Sequence, residues 1–148
     1  MARISTIGAD KVALRLETQS QQGKRKARAM MYAGADILME YVKNDLLMYG
    51  IHDTGELFNS IGTTAYRVDA DSVHIDVTFK GERTRNGKRS GKTTVTRNAA
   101  IGFIQQYGRK YGVKKRTTKA GRPYFSDANR EATPVIHEKW REMMHDER

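Results

Sequence analysis

Eight residues constrain this chain more than any others. Over 72–79 the apolar side chains Val73, Ile75, Val77 and Phe79 alternate strictly with Ser72, His74, Asp76 and Thr78. A period of two over that length specifies a half-buried antiparallel strand, with one face on a core and the other toward water. Thr63–Val68 is its expected hairpin partner, with Asp69, Ala70 and Asp71 as the turn. Two strands alone are marginal, so the apolar face must be covered by more strands or by helices.

Helices are at hand on both sides. From Lys24 to Tyr49, Ala27, Met31, Gly34, Leu38, Tyr41 and Leu46 share one face broadly, opposite Lys24, Arg28, Asp36, Glu40 and Lys43. This is a core-facing amphipathic helix with Gly50 as its stop. Gly23 is expected to interrupt it from a shorter helix over 9–19, in which Val12 and Leu16 lie one turn apart. Asp53 reads as an N-cap with Glu56 completing a capping box, opening a short turn of Leu57, Phe58 and Ile61 that ends at Gly62. Asn98 is expected to cap a short helix carrying Ala100, Ile101, Ile104 and Tyr107, with a strand as the alternative. Pro123 suits the first turn of a last helix, in which Phe125, Ala128, Ala132, Val135, Ile136 and Trp140 recur at helical spacing. Pro134 should kink or split that helix. The expected fold class is α+β, one domain over 1–148: a long N-terminal helix and a C-terminal helix packed on a small antiparallel β-sheet, with 1–23 as a helix or arm.

Charge is distributed unevenly. Fourteen of the 27 Lys and Arg lie between Lys80 and Arg122, where Glu82 is the one acid, so this window carries +13 while the rest of the chain carries −3. Its two densest stretches, 80–97 and 109–121, are Gly-punctuated and lack hydrophobic periodicity, and they read as long basic loops. The first holds Arg83, Arg85, Lys88, Arg89 and Lys92, and the second Arg109, Lys110, Lys114, Lys115, Arg116 and Lys119. Such loops meet a polyanion or an acidic protein surface, or are simply solvated. Contact with nucleic acid through them would be unspecific, driven by counterion release.

Other chemistry is argued against. The chain has no Cys, which excludes a disulfide scaffold, a thiolate metal site and a cysteine nucleophile. The run from Gly87 to Thr93 has three residues between its glycines where a phosphate-binding loop needs four. His52, His74, His137 and His145 match no zinc-ligand spacing, and His137 and His145 read as surface residues. Asp69 and Asp71 are turn formers. No catalytic residue, cofactor or metal ligand is assigned, and the expectation is a protein that is not an enzyme. No apolar run reaches the roughly 20 residues of a membrane-spanning helix. The opening residues lack the apolar region of a secretory signal, so the expected setting is a cytoplasm.

Three short signatures stand in order along the chain. They are Asp53, Thr54, Gly55, Leu57, Ser60 and Ile61 after the long helix; Ile101, Phe103, Ile104, Tyr107 and Gly108 after the hairpin; and Arg122, Pro123 and Phe125 opening the last helix. Together they resemble the tail-completion or neck proteins, the minor tail component family, of long-tailed bacteriophages, over about residues 24–146. Gln106 stands where that family usually has Glu, and Tyr124 where Phe is commoner. The resemblance implies a structural virion protein of the phage neck, assembled in the host cytoplasm as a ring of six copies. Its partners would be neighbouring head-closure, tail-terminator or tail-tube proteins, with unspecific contact to packaged DNA. The alternative is a sequence-unspecific DNA-binding module. Replacing Lys88, Arg89, Lys92, Lys114, Lys115 and Arg116 by Ser touches no expected core position. Circular dichroism and thermal melting of that variant should therefore match the parent chain.

Overall fold

Ser20 decides where the N-terminal helices part. The computed structural model describes residues 2–3, 9–51, 55–86, 91–111 and 117–146. Helix α1 (Ala9–Gln19) and helix α2 (Gln21–Met48) are separated by Ser20 alone. Its backbone is extended, and its hydroxyl oxygen accepts the Gly23 N–H at 3.0 Å, a side-chain cap for an otherwise orphaned donor. The break expected at Gly23 is therefore three residues early. Gly23 lies buried in the first turn of α2, where a Cβ would strike the Leu16 carbonyl, so its role is to let α1 fold back on α2. In α1 the buried position is Ala13, while Val12 points largely to solvent.

Helix α2 buries Ala27, Met30, Met31, Leu38, Val42 and Leu46. Against them lies helix α5 (Tyr124–His145), which buries Tyr124, Ala128, Ala132, Ile136 and Trp140 at a spacing of four. Gly34 is the contact point: a Cβ there would sit 2.9 Å from Cζ2 of Trp140 and 3.1 Å from Cγ2 of Ile136. The Trp140 indole N–H donates to the Met30 carbonyl oxygen in this buried seam. Helix α5 runs unbroken through Pro134 rather than splitting there. Pro134 lies on the exposed side, where water can take up the carbonyl that a proline leaves without a donor. Among the described residues, no helix is long and apolar enough to cross a membrane.

The alternating run forms the sheet but is split at Ile75. Strand β5 (Asp76–Phe79) lies between β1 (Ala2–Arg3) and β2 (Ile61–Thr63), all antiparallel, with Ala2 opposite Val77 and Ile61 opposite Phe79. Strand β3 (Arg67–Val68) pairs with β4 (Val73–His74) in a separate two-stranded ladder. Val73, Ile75, Val77 and Phe79 are buried as expected. The polar alternates are not all solvated, since His74 and Asp76 are each only 5% exposed. Helix α1 covers β4, and the Asp69 carboxylate lies 3.4 Å from His74 Nδ1. His137, expected at the surface, is half-buried on α5.

The expected basic loops are β-ribbons. Strand β6 (Glu82–Asn86) pairs with β7 (Thr93–Arg97), and β8 (Gly108–Tyr111) with β9 (Thr117–Ala120), both antiparallel. The first ribbon is solvent-exposed along nearly its whole length, which is why no hydrophobic alternation announced it. Between the ribbons runs helix α4 (Asn98–Tyr107). Asn98 opens α4 as its first residue, not as its cap, and its side-chain amide donates to the Lys80 carbonyl at 2.9 Å. The buried line of α4 is Asn98, Gly102 and Gln106, not the expected stripe through Tyr107, which is 67% exposed. Gly102 faces the core because a Cβ there would run into the Phe79 ring. Gln106 is held by two bonds, its amide donating to Ser126 Oγ at 2.7 Å and its carbonyl accepting the Phe125 N–H at 2.8 Å.

Asp45 on α2 is 5% exposed, and its Oδ2 has no hydrogen-bond partner among the described residues. Burial, reinforced by the nearby Glu131 and Asp127 carboxylates, pushes its carboxyl above the ordinary value, against a smaller opposing effect of Arg130. The folded state then binds this proton more tightly than the unfolded chain does. Stability from this group is greatest below the unfolded value and falls as pH rises through the folded one. Asp45→Asn should raise stability at neutral pH, and the gain should vanish as pH falls below about 4. Urea unfolding of both proteins across that range measures it.

Candidate interaction site

Register sets which side chains of each ribbon share a face. In the first ribbon Arg83 stands opposite Thr96 and Arg85 opposite Thr94, so both arginines lie on one face two residues apart. In the second, Arg109 stands directly opposite Lys119. Both cationic faces line the same cleft, a concavity of about 730 Å³ to which Arg122 is added from the chain leading into α5. Arg122 is fixed at both ends: its backbone N–H donates to the Gln105 carbonyl and its Nη1 to the Tyr49 carbonyl, each at 2.8 Å. Arg83 is nearly buried and paired with Glu56.

The floor is apolar. Ile51 and Leu57 are each 6% exposed, and Phe58, Ile101 and Ile104 are half-buried beside them. Helix α3 (Glu56–Asn59) brings Leu57 and Phe58 there. Its N-cap is Gly55 at φ 72°, not Asp53, so Glu56 is the first helical residue and reaches Arg83 instead of closing a capping box. The Lys43 ammonium lies 5.5 Å from the Phe58 ring centroid.

The sequence signatures meet here. Gly55 and Leu57 come from the first, Ile101 and Ile104 from the second and Arg122 from the third, and all line the cleft with Arg83, Arg85, Arg109 and Lys119. Other expected residues lie elsewhere. Ser60 closes α3 by donating its hydroxyl to the Leu57 carbonyl at 2.8 Å, and Ile61 begins β2 rather than extending that helix, with Gly62 beside it in the strand. Phe103 and Tyr107 point outward as a ring pair 4.6 Å apart, beside a smaller hollow of about 240 Å³. Gly108 ends α4 at φ 82°, Pro123 caps α5, and Phe125 packs edge-on to Phe79 at 6.5 Å. Lys92 precedes β7, outside the cleft lining, and Lys110 follows Arg109 in β8. Asp53, Thr54, Lys88, Arg89, Lys114, Lys115 and Arg116 lie outside the described residues.

Phe58, expected only as part of a short apolar turn, and Ile51, which no motif marks, complete the floor. Their one sequence signal was apolar character beside Leu57 and Gly50. The strand Thr93–Arg97 follows the Gly87–Thr93 run, where a phosphate-binding loop would require a helix. Among the described residues, no cluster of His, Asp and Glu is suited to hold a metal ion. No protein-family model, curated protein or solved structure matches the chain.

Like charges directly opposite each other destabilise an antiparallel pair. Lys119→Glu turns the Arg109–Lys119 pair into an attractive one. It should stabilise the second ribbon by about 0.2–1 kcal/mol, less at high salt. Thermal unfolding at low and high ionic strength reads both effects.

Proposed function

We propose that the chain is a structural subunit of the neck of a long-tailed bacteriophage, completing the tail and joining it to the DNA-filled head as one copy in a ring. The observation that carries this reading is the convergence of the three family-like signatures on one cationic cleft, flanked by two ribbons. Signatures that served only as caps and turns would have no reason to share a wall. The ribbons support the same reading. A two-stranded ribbon is marginal by itself in water. The first ribbon, whose face through Thr84 and Val95 is in solvent, is suited to be completed by a neighbouring subunit.

In this reading the subunits meet head to tail, each using a different surface on its two sides, as ring closure requires. The six-fold count is what the resemblance implies. The partners are copies of the chain together with head-closure, tail-terminator or tail-tube proteins, and the setting is the virion after assembly in the host cytoplasm. No residue is assigned a catalytic role. The density of cations on the ribbons favours one second reading, unspecific DNA binding, in which log affinity falls with log salt at about 0.9 per phosphate neutralised.

Electron microscopy of a lysate in which this gene alone is silenced tests the proposal. Filled heads lying beside separate tails, rejoined when the chain is supplied in trans, are the expected result. Intact, infectious virions would overturn it.

A further inference from the structure

We propose that the cleft between the ribbons captures an acidic peptide segment with apolar anchor side chains, contributed by a partner protein. The inference rests on reading the chain as a junction subunit and goes beyond it by naming what the cleft takes.

Charge comes first. Arg83, Arg85, Arg109, Lys119 and Arg122 converge on one concavity from three separate parts of the chain. Arg83 is paired with Glu56 and Arg122 donates to the Tyr49 carbonyl, so a ligand is met chiefly by Arg85, Arg109 and Lys119. An arginine's planar fork binds a carboxylate with two parallel hydrogen bonds. Pairing Arg109 across from Lys119 costs the second ribbon stability, and an anion lying between them removes that cost. The ladders hold these cations on fixed strand faces, so a ligand does not have to order the backbone that presents them.

The floor selects among anions. Ile51, Leu57, Ile101 and Ile104 offer an apolar surface at the bottom of a charged rim. A phosphate backbone has nothing to place against it. The one aromatic ring of the floor, Phe58, is half-buried and already lies beside the Lys43 ammonium, so it is poorly placed as a base-stacking platform. A peptide that alternates carboxylates with leucine or phenylalanine satisfies rim and floor together. The volume, about 730 Å³, is that of a site enclosing a few side chains.

Fluorescence anisotropy on the full chain tests this with three labelled probes. One is a short peptide of glutamates interrupted by two leucines and a phenylalanine. The second has those three replaced by serine, and the third is a short random-sequence DNA duplex. At about 0.15 M salt the first probe should bind at least about tenfold more tightly than either of the others. The triple variant Arg85→Ser, Arg109→Ser, Lys119→Ser should weaken it by about tenfold or more. Ile104→Ser should weaken the first probe and leave the second unchanged. The charge-reversed variant Arg85→Glu, Arg109→Glu, Lys119→Glu should instead take a lysine version of the first peptide, a gain that only a folded protein can show.

Equal affinity for the first and second probes would overturn the role of the floor and with it the proposal. Tighter binding of the duplex, or indifference of the first probe to the triple variant, would do the same. So would salt-sensitive self-association that the first probe fails to displace, since a second copy of the chain would then be the occupant. If the peptide binds while the silenced phage remains intact, the neck reading falls and the cleft assignment stands. If silencing separates heads from tails and the peptide does not bind, only the cleft assignment falls.

Discussion

Everything in this fold hangs on the close seam between α2 and α5 at Gly34. The missing side chain lets Trp140 and Ile136 lie directly on the α2 backbone, and the Trp140 indole N–H closes the seam on the Met30 carbonyl. Each large side chain buried there contributes about 1.5–3 kcal/mol, far more than an exposed ribbon can supply. Because α5 is held along its length, its first turn is fixed too. Tyr124 packs on Phe79 and donates its hydroxyl to the Gly102 carbonyl, while Phe125 and Ser126 hold Gln106. The order of the cleft is therefore inherited from a helix pair whose seam residues do not line it.

The first ribbon is secured at its root. Glu82 faces Arg97 across the first ladder with an ion pair at 3.6 Å, Arg83 is paired with Glu56 of α3, and Asn98 ties the start of α4 to the Lys80 carbonyl. An exposed ion pair adds little to stability. The root holds because Arg83 and Asn98 are largely buried, and a buried polar group is costly to strip of its partner.

How far the sequence could be read follows from which forces leave a periodic trace. The helices α2 and α5 and the run from Val73 to Phe79 were legible because each has one face on the core, and burial of one face imposes a period on the residues. The first ribbon was not, because its strands are exposed at nearly every described position, and exposure imposes no apolar period. The face of α4 was misread for a different reason. Hydrophobicity favours Tyr107, but the Phe79 ring needs the space that Gly102 alone leaves, and Gln106 enters the interior because two hydrogen bonds satisfy it. Ser20 outranked Gly23 as a helix breaker because capping depends on a side-chain oxygen at one defined position. Of the cationic residues of the site, Arg83, Arg85, Arg109 and Lys119 were named from the charge distribution and Arg122 from the third signature. Their meeting in one cleft was not legible, since it depends on the register of two ladders whose pairing no local pattern encodes.

One feature of the chain path sets a dimension. Strand β7 ends at Arg97, α4 begins at Asn98, and β8 begins at Gly108, with no residue to spare at either junction. The ten residues of α4 are thus a gauge about 15 Å long whose two ends are the ribbons themselves. The tips can lengthen or shorten without moving the roots. A single residue inserted into α4 would swing one ribbon about 100° around the helix axis relative to the other. The two cationic faces would then no longer look at each other. The spacing between the arms is written in the length of one helix, and evolution can vary it only in whole turns.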